Sequence, residues 1–236
     1  MLVRAGNFFF HHRNWLFPAL LVLALLPGPA MSADPVQALW LGLAVSLAGQ
    51  SVRCLTIGYD YIIRGGRNRR VYAESLVTGG LYAICRNPMY VGNLPIQWGV
   101  ALATNSWTCV LVAIPLFTFI YIAIVAAEEN FLRGKFGADF DQYCVDVPRW
   151  LPRLGGLAEV LRRGHYRWRR TLVKEYGTPF GWWSMMVVLA SFNYWRSDQL
   201  AAHTHTLQVL WTAWGVLAVF FLVVRQLKRS KVIVAD

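Results

Sequence analysis

The sequence predicts an all-α fold: a polytopic membrane helix bundle of about six transmembrane helices, with a short broken helical hairpin beside a pocket at the cytoplasmic face. Three observations predict it. Of 236 residues, 56% are hydrophobic and only 15% charged, whereas soluble domains carry about 25% charged residues. The charges sit in blocks and leave the runs 16–30, 36–57, 107–127, 180–195 and 207–224 nearly free of them. A spanning helix needs roughly 20 mostly apolar residues, and most of these runs approach that length.

Taken in order, the first run follows Arg4, His11 and Arg13 and ends in Pro27-Gly28-Pro29-Ala30. This imitates a secretory leader, but the prolines and the five further spans favour a retained first helix. With 36–57 it makes residues 1–60 a pair of plain N-terminal transmembrane helices. Residues 61–153 hold every unusual local feature. Within them, 88–103 is a sixth, shorter element interrupted by Pro95 and Gly99. It reads as broken or tilted, since Pro and Gly are tolerated where neighbouring helices satisfy the freed backbone groups. Residues 154–178 form a basic linker. Leu157, Leu161, Trp168 and Leu172 recur at helical spacing, with Arg162, Arg163, Arg167, Arg169 and Arg170 elsewhere around the helix. That pattern suits a helix lying in the cytoplasmic interface; the functional alternative is an arginine-lined lid. Residues 179–236 add a C-terminal transmembrane pair.

Charge sets the orientation. Six crossings bring 21 of the 23 Lys and Arg to one face, leaving out Arg53 and Arg196. The intervening loops 31–35, 104–106 and 197–206 hold none. By the positive-inside rule that face and both termini are cytoplasmic, in a bacterial inner membrane or the endoplasmic reticulum. The net charge of +11 is therefore assigned to orientation and membrane lipids, not to nucleic acid. The four cysteines form no C-x-x-C pair, so neither a disulfide framework nor a zinc site is indicated. His11-His12 and His203/His205 fall on opposite predicted faces, and no metal-ligand set is expected.

The chemistry-bearing stretches are 74–93, which precedes the short span, and 128–152, which follows the next one. The topology returns both to the cytoplasmic ends of one hairpin. Gly79-Gly80 marks a turn. Asn87-Pro88 disfavours helix at 87 and starts one at 88, leaving first-turn amides that can meet an anion or polar ligand. Arg86 is permanently charged and suits a carboxylate or phosphate. Glu128 and Glu129 are expected in the last turn of a long apolar helix, where the dipole disfavours a carboxylate. A partner is therefore expected, either Arg86 or a ligand amine or hydroxyl. Taken singly, each residue has a plainer role: Arg86 snorkelling to lipid, the glutamates ending a span in water, Tyr82 and Tyr90 as belt aromatics.

The pattern Gly80, Tyr82, Arg86, Asn87, Pro88, Tyr90, Gly92 resembles the integral-membrane methyltransferases of the isoprenylcysteine carboxyl methyltransferase and phospholipid methyltransferase superfamily. So does its sequel, Glu128-Glu129, Phe136-Gly137, Tyr143, Val147-Pro148-Arg149 and Leu151-Pro152. The resemblance covers roughly residues 64–153 and implies S-adenosyl-L-methionine bound at the cytoplasmic side. It implies cofactor contacts at Glu74, Ser75, Leu76, Val77, Tyr82, Asn87, Pro88, Met89, Tyr90 and Glu128, with Arg67 as a further candidate. Arg86 and Glu129 are the expected catalytic pair, and Glu128 or Glu129 would take the proton from an amine acceptor. Two positions depart from the family. Asn87 stands where most members have His, and it cannot titrate near neutrality. Ile124 stands where the prenylcysteine enzymes place a substrate-facing arginine. The implied acceptor is lipophilic: a lipid amine, an isoprenoid or, less well matched at Ile124, a prenylcysteine-like group. Two other readings are carried forward. One is an NADPH-dependent enone or sterol-type reductase using Arg64, Arg67, Arg69 and Arg70 for a 2′-phosphate. The other is a non-catalytic membrane scaffold.

Overall fold

The structure, a computed structural model, describes residues 1–20, 22–23, 28–60 and 73–234. Among the described residues the fold is all-α: α1 Leu2–Leu20, α2 Pro35–Tyr59, α3 Pro88–Ala103, α4 Trp107–Phe136, α5 Ala138–Asp146, α6 Leu154–Arg163, α7 Trp168–Glu175, α8 Gly177–Arg196 and α9 Thr204–Arg229. There is no strand among them, only an isolated bridge between Ala30 and Ser106.

Local chemistry explains the boundaries. Asp34 caps α2 by accepting from the Val36 amide, with Pro35 in the first turn, the expected N-terminal pair. α3 starts at Pro88 behind Asn87, whose backbone is non-helical at φ -126 and ψ 49. Ser106 caps α4 by accepting from the Cys109 amide, and Gly137 ends it at φ 54, a conformation that suits glycine.

The central contact is α2 on α3. Gly42 and Gly49 of α2 face Gly99 and Gly92 of α3, so closely that a side chain at any of the four would strike the opposing backbone or Ser46 or Arg53. Small residues at such a crossing let helices approach to backbone contact, which supplies packing energy where lipid removes the hydrophobic drive. Ser46 adds a hydroxyl bond to the Ile96 carbonyl at 3.2 Å. α4 packs on α3 and receives α1 on its other side, where Gly6 abuts Ala123 and Ala127. α8 leans on α2 and α3, and α9 on α8.

Hydrogen bonds show which ends meet. At one end Arg167 donates to Gly58 O and Arg153 to Ile84 O, and Lys228 reaches Val173 O. At the other, Asn193 donates to Thr104 O and Ser32 to the Asn105 side chain.

Four sequence expectations are corrected. The run 16–30 is not one helix: α1 lies earlier, at Leu2–Leu20, and residues 28–30 are non-helical, as Pro27 and Pro29 would impose. α3 is one continuous helix through Pro95, held over its length by the glycine contact with α2. α4 runs to Phe136, which puts Glu128 and Glu129 about two turns before its end and weakens the dipole argument for a partner. The basic linker is two helices, broken between Gly164 and Arg167, and Arg170 is buried against Gly58 O at 2.8 Å. Three helices, Pro35–Tyr59, Trp107–Phe136 and Thr204–Arg229, are long and apolar enough to cross a membrane among the described residues.

The glycine seam makes a differential prediction. Gly49→Ala and Gly99→Ala should each destabilise the detergent-solubilised protein by roughly 1–3 kcal/mol, the usual cost of overpacking. Gly181→Ala and Gly215→Ala, where nothing lies within 4 Å, should leave the thermal midpoint unchanged or raise it. Equal behaviour of the two pairs would contradict the seam.

Candidate functional site

The site is assembled at the α2 C-terminal end of the bundle, from a turn before α3, the start of α3, the inner end of α4, and segment 147–153. Gly80, at φ 53, opens a 3-10 turn over Gly80–Ala83. That turn buries Tyr82 against Ile57 and Met89, with Val77 beside them. The chain then runs through Cys85, Arg86 and Asn87 into the helix that begins at Pro88.

Segment 147–153 is laced to this stretch. Arg86 N donates to Pro148 O at 2.9 Å and Arg153 N to Ile84 O at 3.0 Å. Asn87 Nδ2 donates to Arg149 O at 3.2 Å. The Cys85 thiol points at the Arg149 and Trp150 carbonyls, at 3.6 and 3.4 Å. Burial pushes that thiol's pKa up, so it stays a neutral donor. From α5, Tyr143 Oη donates to Tyr82 O at 2.7 Å. Burial likewise raises this phenol well above its ordinary range.

Glu129 sits at the centre, 4% exposed. Arg149 holds it through both oxygens, Nε donating to Oε1 at 3.1 Å and Nη2 to Oε2. Arg86 Nε lies 3.5 Å from Oε1, and Asn87 Nδ2 donates to the same oxygen at 3.4 Å. Arg86 also donates to Cys144 O near the end of α5, at 3.1 Å, where a cation meets the favourable end of the dipole. Two guanidiniums thus compensate one buried carboxylate. This is the arrangement in which breaking the set, rather than making it, carries the large energy.

Glu128, one residue earlier and half-buried, faces a different neighbour. Tyr90 Oη donates to its Oε1 at 2.7 Å. Tyr90 also packs beside Tyr121, ring centroids 5.4 Å apart. The two adjacent carboxylates therefore divide: Glu129 is fastened between arginines, while Glu128 is held by a single phenol.

The structure brings Tyr82, Arg86, Asn87, Pro88, Met89, Tyr90, Glu128 and Glu129 to one end of the hairpin. It spreads the 74–77 stretch. Glu74 and Ser75 are exposed, Leu76 joins Phe140, Tyr143 and Val147, and Val77 joins Tyr82 and Met89. Arg67, with Arg64, Arg69 and Arg70, lies outside the described residues. Ile124, 1% exposed, packs with Phe10 of α1, Leu94, Ile120 and Tyr121, so apolar side chains fill its surroundings.

Sequence reading assigned no role to Arg149 or Tyr143, although both fall in the quoted pattern. It also missed a second buried set. Arg53 is bonded to Glu175 at 2.6 Å, to Thr178 at 3.2 Å and to Asn93. Gln50 joins Glu175 at 3.3 Å and accepts from Trp182 at 3.1 Å. A lone arginine inside an apolar run was the available signal. Among the described residues no three His, Cys, Asp or Glu side chains gather as metal ligands.

The model of the phospholipid methyltransferase family matches residues 38–139. The protein-S-isoprenylcysteine O-methyltransferase of Schizosaccharomyces pombe is 28% identical over 109 residues, 46% of this chain and 42% of that one. Both similarities are to methyltransferases, and the family match lies in residues 38–139. Two other relatives are named for metal resistance. Cobalt-zinc-cadmium resistance protein CzcN of Cupriavidus metallidurans is 31% identical over 169 residues, 70% of this chain and 63% of that protein. Nickel-cobalt-cadmium resistance protein NccN of Alcaligenes xylosoxydans xylosoxydans is 28% identical over 137 residues, 58% and 61%. The chain spans less than two thirds of the length of each of these relatives. No solved structure matches. The similarity is to methyltransferases, three helices are long and apolar enough to cross a membrane, and nothing in the comparisons favours the reductase. The matched region takes in α2 to α4 and stops short of Arg149.

The two buried contacts give a stability prediction. Glu129→Ala strands the buried Arg86, whereas the half-exposed Arg149 can turn to water, and should cost about 3 kcal/mol, the low end for breaking a buried pair. Tyr143→Phe leaves Tyr82 O without this donor and should cost roughly 1–3 kcal/mol. Both are read as falls in thermal midpoint in detergent; a Glu129→Ala variant as stable as wild type would remove the clamp from the account.

Proposed function

We propose that the protein is an integral-membrane methyltransferase that takes S-adenosyl-L-methionine beside Tyr82, Met89, Tyr90 and Glu128 and methylates a lipophilic acceptor. The observation that carries this is the Tyr90–Glu128 pair at 2.7 Å, inside the superfamily-matched region and braced by the Glu129 clamp.

The residues present fit such a cofactor. Glu128 offers acceptor lone pairs to an amine or ribose hydroxyl. Tyr82, Met89, Ile57 and Val77 offer an apolar wall. When bound, the cofactor supplies an activated methyl group on a positively charged sulfur. The chain's own contribution is to hold shape and exclude water. The clamp fixes the start of α3 against α4, and well-oriented reactants can gain roughly 7–11 kcal/mol from alignment.

Of the two expected proton acceptors, Glu128 is the one this proposal takes. Glu129 has its oxygens engaged by Arg149, Asn87 and Arg86 and little left to offer an incoming proton. Arg86 then acts by positioning. An amine acceptor would pass its proton to Glu128; a thiolate or carboxylate would need no base. The apolar filling around Ile124 supports an isoprenoid or lipid-amine acceptor over a prenylcysteine carboxylate.

The orientation belongs to this proposal too. α1, α2, α3, α4, α8 and α9 make six crossings, with the site end and both termini cytoplasmic, as the charge distribution supports.

Calorimetric titration of the detergent-solubilised protein with S-adenosylhomocysteine should give saturable heat, and NADPH none. Glu128→Ala and Tyr90→Phe should weaken binding by about tenfold or more, since a hydrogen bond to a charged group contributes roughly 1.5–3 kcal/mol. Binding of NADPH alone, or homocysteine-adduct affinity indifferent to both variants, would reject the reading.

A further inference from the structure

Segment 151–169, with α6 at its centre, is fastened to the bundle yet buries little of itself. α6 contains no buried residue. It is nonetheless pinned. Gly156 sits over Ile84 and Gly164 against the Tyr59 ring. Tyr59 Oη donates to Leu161 O at 3.3 Å, and Arg167 N to Gly58 O at 2.9 Å. Large apolar side chains nevertheless stand outward: Leu151 is 83% exposed, Leu154 73% and Trp168 59%. Between them Arg153, Arg162, Arg163, Arg167 and Arg169 are all exposed. The one acid of this stretch, Glu159, is already paired with Arg163 at 2.9 Å.

We propose that this face is a docking surface for the anionic phospholipid headgroups of the leaflet next to the candidate site. Its anchors fix its depth. Gly58 and Tyr59 are the final residues of α2, a helix long and apolar enough to span, so whatever hangs from them lies where hydrocarbon gives way to headgroups. Exposed leucines and a tryptophan interleaved with arginines are the side chains that boundary takes: the apolar ones enter the acyl edge while the cations meet phosphate. A nucleic acid or acidic peptide would use the arginines but leave Leu151, Leu154 and Trp168 in water. Because Arg153 is also bonded to Ile84, the docked surface holds the 84–87 stretch of the site at the leaflet, where a lipophilic acceptor arrives. The inference rests on the membrane placement proposed above and not on methyl transfer.

The test is hydrogen–deuterium exchange on the full chain in nanodiscs of phosphatidylcholine alone and of phosphatidylcholine with phosphatidylglycerol. Amides over 154–169 should exchange severalfold more slowly in the mixed disc, and high salt should reverse the difference, because exposed charge interactions are screened. Arg162→Glu combined with Arg169→Glu should abolish it while exchange over α2 stays as in wild type; the salt arm needs no variant. Equal exchange in the two discs, or a slowing that survives both salt and charge reversal, overturns the proposal. Slowing by an added oligonucleotide in the neutral disc would assign the surface to nucleic acid instead. No arm uses cofactor or turnover, so a failure here is separable from failure of the methyltransferase reading.

Discussion

One buried carboxylate, Glu129, organises this end of the molecule. It draws a guanidinium from the turn before α3 and another from the segment after α5, and it takes an amide from the residue that opens α3. Without it, Arg86 would be a poorly solvated cation and segment 147–153 would keep only its apolar packing on α4, through Val147 and Trp150. With it, three stretches distant in sequence are held in register around Tyr90 and Glu128. Desolvating Glu129 and Arg86 is costly, and each offsets the other's charge while Arg149 adds a second guanidinium from the surface. The adjacent Glu128 can then remain less engaged, which is what a ligand-facing group requires.

A second constraint acts deeper in the bundle. The glycine seam brings α2 and α3 to backbone contact, and Arg53 uses that closeness to bond Asn93 across it. The same guanidinium reaches Glu175 and Thr178, binding the C-terminal helices to the superfamily-matched core. Those helices are therefore integrated with the core by charge as well as by the apolar contacts of α8 with α3. Arg53–Glu175 and the Glu129 clamp together place buried ionic ties on both sides of α3.

Much of this was legible where the governing chemistry is local. Asn87-Pro88 announced the start of α3, and Gly80 its preceding turn, because each acts through backbone geometry within a few residues. Topology brought Arg86 and the 128–129 pair to one end of the hairpin and left open whether Arg86 or a ligand was the partner; the structure pairs Arg86 with Glu129. The all-α class followed from apolar runs. What was not legible depended on tertiary partners. Nothing local distinguishes Glu128 from Glu129; Arg149, some twenty residues away, separates their roles. Arg170 looked like one more surface arginine until Gly58 O was found beside it. α4 extends past its apolar run because its last two turns are held by packing of Leu132 and Phe136 on α5, which periodicity in α4 does not reveal. The first helix was misplaced because hydropathy weighs Pro27 and Pro29 too lightly against the leucines around them.

The most direct measurement is photolabelling of the membrane-embedded protein with radiolabelled S-adenosylmethionine, followed by identification of the labelled peptide. The account predicts label within 82–90 or 121–129, displaced by S-adenosylhomocysteine. Label confined to α8 or α9, or no displaceable label in a folded sample, would contradict it.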